Sequence, residues 1–393
     1  MTQAPAPPAF QGRSTYIDAL RGIAAFSVAC YHINRYGPFA EPAGEFIPGF
    51  LQVWFLHGWM GVQVFFVISG FVIAYSVRNA RVTPGYLGNY ALRRSIRLDP
   101  PYWTTILFVL LLHGIMHLKL GFESPLDVPS KMEPALSWQL LVCHVFYVHN
   151  IVAYFQGLLG YPQFENLSAG FWTLCIEIQF YLLYVVGQGI AQRFPYRARQ
   201  NAAEASPVGL LVVFAPLALM SLFVWNGDYD NDMWIIRFFC MFFLGAAAWW
   251  ALDGRIPPVL FWIYVAALIS RIFIQIGRAG WDDDLTLGLS AALAAGVSVY
   301  IAGRRGRLGT WLDFGVLQYL GRISYSLYLI HFPMSHVVST FGFEVSGPSP
   351  SPAVSTLWLV LALVASLAAA HVMYVFIEAP SVRLAARFKR VPS

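Results

Sequence analysis

The chain has 393 residues, of which 58% are hydrophobic and only 11% charged, with a mean hydropathy of +0.59 and a formal net charge of +5. Soluble domains carry about a quarter charged residues, so this composition excludes an ordinary water-soluble fold. The basic excess lies in short loops between apolar runs, where it sets membrane orientation and indicates no nucleic-acid partner.

The first residues are rich in Pro and Ala and lack the basic and apolar regions of a cleaved signal. Residues 1–15 are therefore expected to be a disordered cytoplasmic tail ahead of a retained first span. Runs long enough to cross a bilayer lie near 17–36, 59–77, 101–118, 171–190, 208–225, 234–252, 257–274, 285–302, 316–338 and 355–378. With ten crossings and the N-terminus inside, Arg78, Arg81, Arg93, Arg94, Arg97, Arg193, Arg197, Arg199, Arg255, Arg304, Arg305 and Arg307 fall on the cytoplasmic side. Arg383, Arg387, Lys389 and Arg390 join them in a basic cytoplasmic tail, 381–393. Asp228, Asp230, Asp232, Asp282, Asp283, Asp284, Glu41, Glu45 and Glu344 then face outward with few bases (Lys119, Lys131, Arg278), as the positive-inside rule requires.

A further uncharged run, 138–155, would reverse every later loop if it crossed. It also carries Cys143, His144, His149 and Asn150, so it is expected to be re-entrant or interfacial, buried against protein. Prolines are expected to mark helix ends, as at Pro100–Pro101, Pro257–Pro258 and the loop 348–352. No repeat or linker divides the chain. The expectation is an all-α integral membrane protein with about ten transmembrane helices in one domain, 16–380. Its four cysteines lie in apolar segments without CxxC spacing, which indicates neither a disulfide framework nor a thiolate metal site.

Ionisable residues inside such spans are expensive and mark function by default. Arg21 and His32 share one face of the first span, about 16 Å apart along the helix axis, with Ala25 and Val28 between them. This suggests a polar corridor. On the expected topology His32, Glu177, Tyr328, His331 and Ser335 lie in the outer half, with Ser324 opening the ninth span's polar stripe. Asp18, Arg21, Arg93, Arg94, Arg97, Arg322 and Glu378 gather on the inner side. Plainer readings stand beside these. Asp18–Arg21 suits a terminal ion pair, the arginines satisfy orientation alone, and Tyr328 and His331 suit interhelical hydrogen bonding. His113, His117 and His336 lie at span ends and read as interfacial, and Gly61, Ser69 and Gly70 suit close helix packing. Buried His32 and Glu177 are each costly alone, and pairing them would give a His–carboxylate dyad with an oriented base.

At these residues the chain resembles the acyltransferase 3 family of membrane acyltransferases. The matching stretches begin with Tyr16 to Gly22 followed by His32, an Arg-x10-His signature, then Gly61 to Phe71 and Arg93 to Tyr102. Phe171 to Tyr181, Gly321 to His331 and Phe376 to Pro380 complete the ordered set. The resemblance implies about ten transmembrane helices and transfer of acyl groups, commonly acetyl, from cytoplasmic acyl-CoA to hydroxyls of carbohydrates or small molecules. Some members append a soluble esterase-like domain. None is present in this sequence, so transfer is expected to be completed within the membrane domain.

Chemistry and resemblance then converge on one expectation. Arg21, Arg93, Arg94, Arg97 and Arg322 would hold the coenzyme phosphates, with the pantetheine arm rising along the first helix. His32, oriented by Glu177, would be the general base, with Ser69, Tyr328 and His331 as substrate-binding residues; no metal is expected. The partners are the bilayer, acyl-CoA (acetyl-CoA first) and a cell-envelope or exported carbohydrate, in a bacterial cytoplasmic membrane with both termini inside. The alternatives are a proton-coupled transporter, a non-catalytic scaffold, and an acyltransferase acting on a small natural product. Direct transfer and an acyl-His intermediate both stay open.

Overall fold

A computed structural model describes residues 14–119, 138–159, 167–194, 205–227, 233–347 and 349–388. Much of the expected N-terminal tail, the end of the basic tail (Lys389, Arg390), Arg197, Arg199, Lys131, Asp228, Asp230 and Asp232 lie outside the described residues, as do the side chains of His113, His117 and Lys119.

The described residues are helical and contain no strand. In order the helices are α1 (Thr15–Tyr36), α2 (Ala40–Ala43), α3 (Gly49–Leu56), α4 (Gly61–Ser76), α5 (Pro84–Lys119), α6 (Trp138–Val145), α7 (His149–Leu158) and α8 (Phe171–Ala191). They continue with α9 (Pro207–Met220), α10 (Ile235–Leu252), α11 (Pro258–Ala279), α12 (Asp284–Arg304), α13 (Gly315–Ser346), α14 (Pro352–Met373) and α15 (Ala379–Arg387). Local chemistry sets several starts. Side chains of Ser14, Ser206, Asp283 and Ser351 cap α1, α9, α12 and α14 by accepting first-turn N–H groups. Pro207, Pro258 and Pro352 occupy first-turn positions where a missing N–H costs nothing.

Seven of the described helices are long and apolar enough to cross a membrane: Gly58–Ser76, Phe171–Ala191, Pro207–Trp225, Ile235–Leu252, Pro258–Ala279, Asp284–Arg304 and Pro352–Arg387. The chain is an integral membrane protein. The other three expected crossings are also helical, within α1, α5 and α13, but carry more polar residues than the seven.

One expectation about helix ends changes. Pro100 and Pro101 do not end a helix, because α5 runs through both for 36 residues. Hydroxyls of Thr104, Thr105 and Tyr325 donate to the carbonyls of Pro100, Pro101 and Leu98 and supply donors around the break. Arg93, Arg94 and Arg97 therefore stand on a helix rather than in a loop. The run 138–155 forms α6 and α7, of eight and ten residues, each too short to cross. They are separated at Tyr147, whose φ of 59° turns the backbone left-handed. His144 is buried there, its ring stacked 3.9 Å from that of His149.

Two helix pairs meet backbone to backbone. Along α1 and α13, a Cβ added at Gly22 would come within 2.6 Å of Gly321 N, and one at Gly321 within 2.2 Å of Asp18 O. Along α4 and α10, added Cβ atoms at Gly70 and Gly245 would each lie 1.9 Å from a backbone oxygen, of Phe242 and Val67. Such approaches admit only glycine. Around them lies a large aromatic core in which Phe66, Phe180 and Phe242 stack at 4.6 and 4.1 Å. Gly245→Val is expected to destabilise the protein by at least ~1–3 kcal/mol, the scale of core overpacking. Gly277→Ala, where an added Cβ meets nothing within 4 Å, should leave the melting temperature unchanged; thermal unfolding of the purified protein compares the two.

Candidate active site

A cavity of about 90 Å³ opens between α1, α4, α5, α8 and α13. Its charged lining is Arg21, Arg94, Arg97, Glu177 and Glu378, and its far wall is formed by Val62, Phe65, Phe66, Thr173 and Tyr328. Of the five arginines expected to act together, three line it. Arg93 turns toward Tyr86, and Arg322 is exposed, 5.9 Å from the Tyr319 ring. Arg94, next to Arg93, faces the cavity instead because helical geometry separates adjacent residues by about 100°.

The two carboxylates are held by hydroxyl donors. Ser326 donates to Glu378 through both its N–H (3.2 Å) and its Oγ (2.6 Å). Glu177 accepts from Ser69 Oγ (2.8 Å) and from the Tyr181 hydroxyl, and its Oε1 lies 3.8 Å from Arg94 Nη2. The Arg94 guanidinium in turn lies 3.6 Å from the Tyr181 ring centroid, a cation–π contact. Arg97 is within electrostatic reach of Arg94, Arg21, Glu378 and Glu177, yet donates no hydrogen bond among the described residues. Arg94 Nε is buried without a hydrogen-bond partner. Buried donors of this kind suit an incoming anion, since leaving them unmade is costly.

His32 and Glu177 do not form the expected dyad. Glu177 serves Ser69, Tyr181 and Arg94, while His32 Nδ1 pairs with His331 Nε2 at 2.8 Å. The geometry fixes the protons. His331 Nδ1 lies 2.9 Å from Leu327 O, an acceptor only, so Nδ1 carries the hydrogen and Nε2 must accept. His32 Nδ1 therefore donates, and in the neutral imidazole His32 Nε2 is the free lone pair. A backbone carbonyl thus orients a base through two imidazoles, the role a carboxylate fills elsewhere. His331 is fully buried, whereas His32 is half-buried and ringed by Tyr31, Tyr36 and Phe332. Neither imidazole lines the cavity; Tyr328 does, and its ring lies 6.0 Å from the His331 ring.

Of the residues expected from the sequence to bind substrate, Ser69 and Tyr328 line the cavity and His331 does not; Thr173, Tyr181 and Phe65 line it too and are not singled out by sequence reasoning. Thr173 and Tyr181 fall inside the stretch that carries the resemblance, at four-residue spacing to either side of Glu177, which puts all three on one helix face. Among the described residues no group of three or more His, Cys, Asp or Glu side chains could hold a metal ion. Removing Glu177 alone should leave Arg94 beside the cavity without its carboxylate. Glu177→Ala is expected to cost about 1–3 kcal/mol. Arg94→Ala in the same chain should cost less than the two single effects added, a coupling of at least ~0.5 kcal/mol in a double-mutant cycle read by thermal unfolding.

At 25% identity the chain matches "Putative peptidoglycan O-acetyltransferase YrhL" of Bacillus subtilis over 93% of its own length and 54% of that protein's. At 24% identity it matches "Peptidoglycan O-acetyltransferase OatA" of Listeria monocytogenes over 93% of its length and 55% of the relative's. The chain thus spans a little over half the length of these relatives. No solved structure matches. The acyltransferase 3 family, described as an acyltransferase domain, matches residues 14–375, and the chain belongs to it.

Proposed function

We propose that the chain is a membrane O-acyltransferase that moves an acyl group, acetyl first, from cytoplasmic acyl-CoA to a hydroxyl of a cell-envelope carbohydrate. The observation that carries this reading is the division of the site. An arginine-lined cavity lies on one side of Tyr328, and an imidazole with a bare Nε2 lies on the other. The relatives' names support acetyl as the group and a peptidoglycan-type glycan as the acceptor.

On this reading the chain makes ten crossings with both termini cytoplasmic, in a bacterial inner membrane, and residues 16–380 form the catalytic domain. The arginine end then faces the cytoplasm. Arg21, Arg94 and Arg97 hold the coenzyme phosphates, which are too charged to enter hydrocarbon. Glu378 and Glu177 keep those guanidiniums apart and oriented before the donor arrives. The neutral pantetheine arm extends along Ser69 and Ser324 toward Tyr328. From the opposite side a sugar hydroxyl meets His32 Nε2, which takes its proton as the oxygen attacks the thioester carbonyl.

Activity measurements on purified protein in nanodiscs, with acetyl-CoA and peptidoglycan fragments, test this directly. His32→Ala should fold, bind acetyl-CoA and lose about 10²–10⁴-fold in transfer, the usual worth of a positioned base. His331→Ala should lose less, because it removes the proton lock and keeps the base. Arg97→Ala should weaken donor binding by ~1.5–3 kcal/mol, read as the concentration of acetyl-CoA needed to raise the melting temperature. Wild-type transfer by folded His32→Ala would overturn the mechanism.

Topology has its own check. A cysteine at the exposed Trp281 should react with an impermeant reagent added outside intact cells, and one at exposed Arg307 should not.

A further inference from the structure

Tyr328 stands where the two halves of the site meet, and its hydrogen bond has one allowed direction. Thr173 Oγ1 donates to Gly170 O at 2.9 Å, so its single proton is committed. At 2.7 Å from Thr173 Oγ1, the Tyr328 hydroxyl must therefore be the donor. The ring is seated as closely as the bond is made. A Cβ at Gly170 would come within 3.1 Å of Tyr328 Cε1, so any side chain there would push the phenol by a few tenths of an ångström. Phe65 packs edge-on against the same ring at 5.6 Å, and both side chains belong to the cavity wall. The same ring lies 6.0 Å from the ring of His331, which pairs with His32, and neither histidine lines the cavity that Tyr328 lines.

A thioester in the cavity is thus screened from His32 in this conformation. His32 itself is half-buried, and the exposed Tyr36 beside it marks the way in. Water reaching His32 is as good a proton donor to it as a sugar hydroxyl, so an open passage would waste the donor. In hydrolysis the water oxygen bonds to the acyl carbon, the C–S bond breaks with its electron pair on sulfur, and the water's proton ends on that sulfur through His32. The products are the free acid and the coenzyme thiol. Transfer differs only in the oxygen that attacks.

We infer that Thr173 and Tyr328 form a latch that makes the enzyme choose its carbohydrate acceptor over water. The inference rests on the acyltransferase reading above. Latched, the phenol ring separates donor from base. A sugar that fills the space vacated by the ring contributes binding energy that a single water cannot, and this difference favours opening only with the acceptor seated. Thr173 is a positioning residue in this scheme: it acts through the Tyr328 ring and touches no reacting atom.

The test uses the full chain in nanodiscs with acetyl-CoA, measuring coenzyme thiol released without acceptor and acetylated peptidoglycan fragment formed with it. Thr173→Val and Tyr328→Phe each remove the latch and keep the bulk that divides the site. Each should raise hydrolysis relative to transfer by about tenfold, the population shift given by losing one net hydrogen bond. Thr173→Ser, which restores the acceptor oxygen, should return the ratio to that of wild type, and the double variant should be no leakier than either single one. An unchanged ratio in folded Thr173→Val and Tyr328→Phe, with wild-type transfer intact, overturns the latch and leaves the acyltransferase reading standing. A wild-type protein that neither acetylates the glycan nor releases coenzyme thiol overturns both.

Discussion

The contact on which the site depends is the crossing of α1 and α13 at Gly22 and Gly321. No side chain separates the two backbones there. From that point the helices run side by side in the same direction, and each reaches a histidine ten residues later. Equal rise from a common contact brings His32 and His331 level, within hydrogen-bond distance. A bulkier residue at either glycine would push the helices apart and break the imidazole pair before it touched the cavity. Arg21, next to the crossing, is held against the cavity by the same contact.

The placement of charge follows from the cost of burying it. Three guanidiniums and two carboxylates share one end of the site, where each charge lies near others of opposite sign and the carboxylates are stabilised by Ser69, Tyr181 and Ser326. The imidazole pair at the other end can stay neutral with its inner nitrogens satisfied, since a proton chain runs from His32 Nδ1 to His331 Nε2 and from His331 Nδ1 to a carbonyl. A neutral pair needs no counter-ion in an apolar setting. Glu177 beside His32 would have introduced a carboxylate there with fewer donors to satisfy it.

Much of this was legible in the residues. The membrane class, the apolar runs and the cavity residues Arg21, Arg94, Arg97, Ser69, Glu177 and Tyr328 follow from periodicity, charge and ordered motifs. What failed depended on which helices touch. Burial cost alone says that His32 needs a partner without naming it, and Glu177 was the costlier neighbour to leave alone. The glycine-to-histidine spacing repeated on α1 and α13 carried the correct pairing, but only once the two glycines are known to meet. The prolines misled for a related reason. Each of Pro100 and Pro101 leaves one carbonyl, of residues 96 and 97, without its helical N–H donor, yet α5 continues, with the hydroxyls of Thr104, Thr105 and Tyr325 bonded to neighbouring carbonyls.

The division of the site also accounts for where its aromatic residues stand. A polar corridor continuous from Arg21 to His32 would let water and protons follow it across the hydrocarbon layer. Phe65 and Tyr328 pack together in the cavity wall, where the proposed chemistry would occur, and Phe332 and Tyr36 pack around His32. Phenylalanine alone would make a static plug. Tyrosine adds a hydroxyl whose bond to Thr173 can be exchanged for another acceptor at small net cost, since one hydrogen bond replaces another. On the proposed reading the wall is firm in the absence of substrate and replaceable in its presence, as a reaction with its two substrates on opposite sides of a membrane would demand of the residue between them.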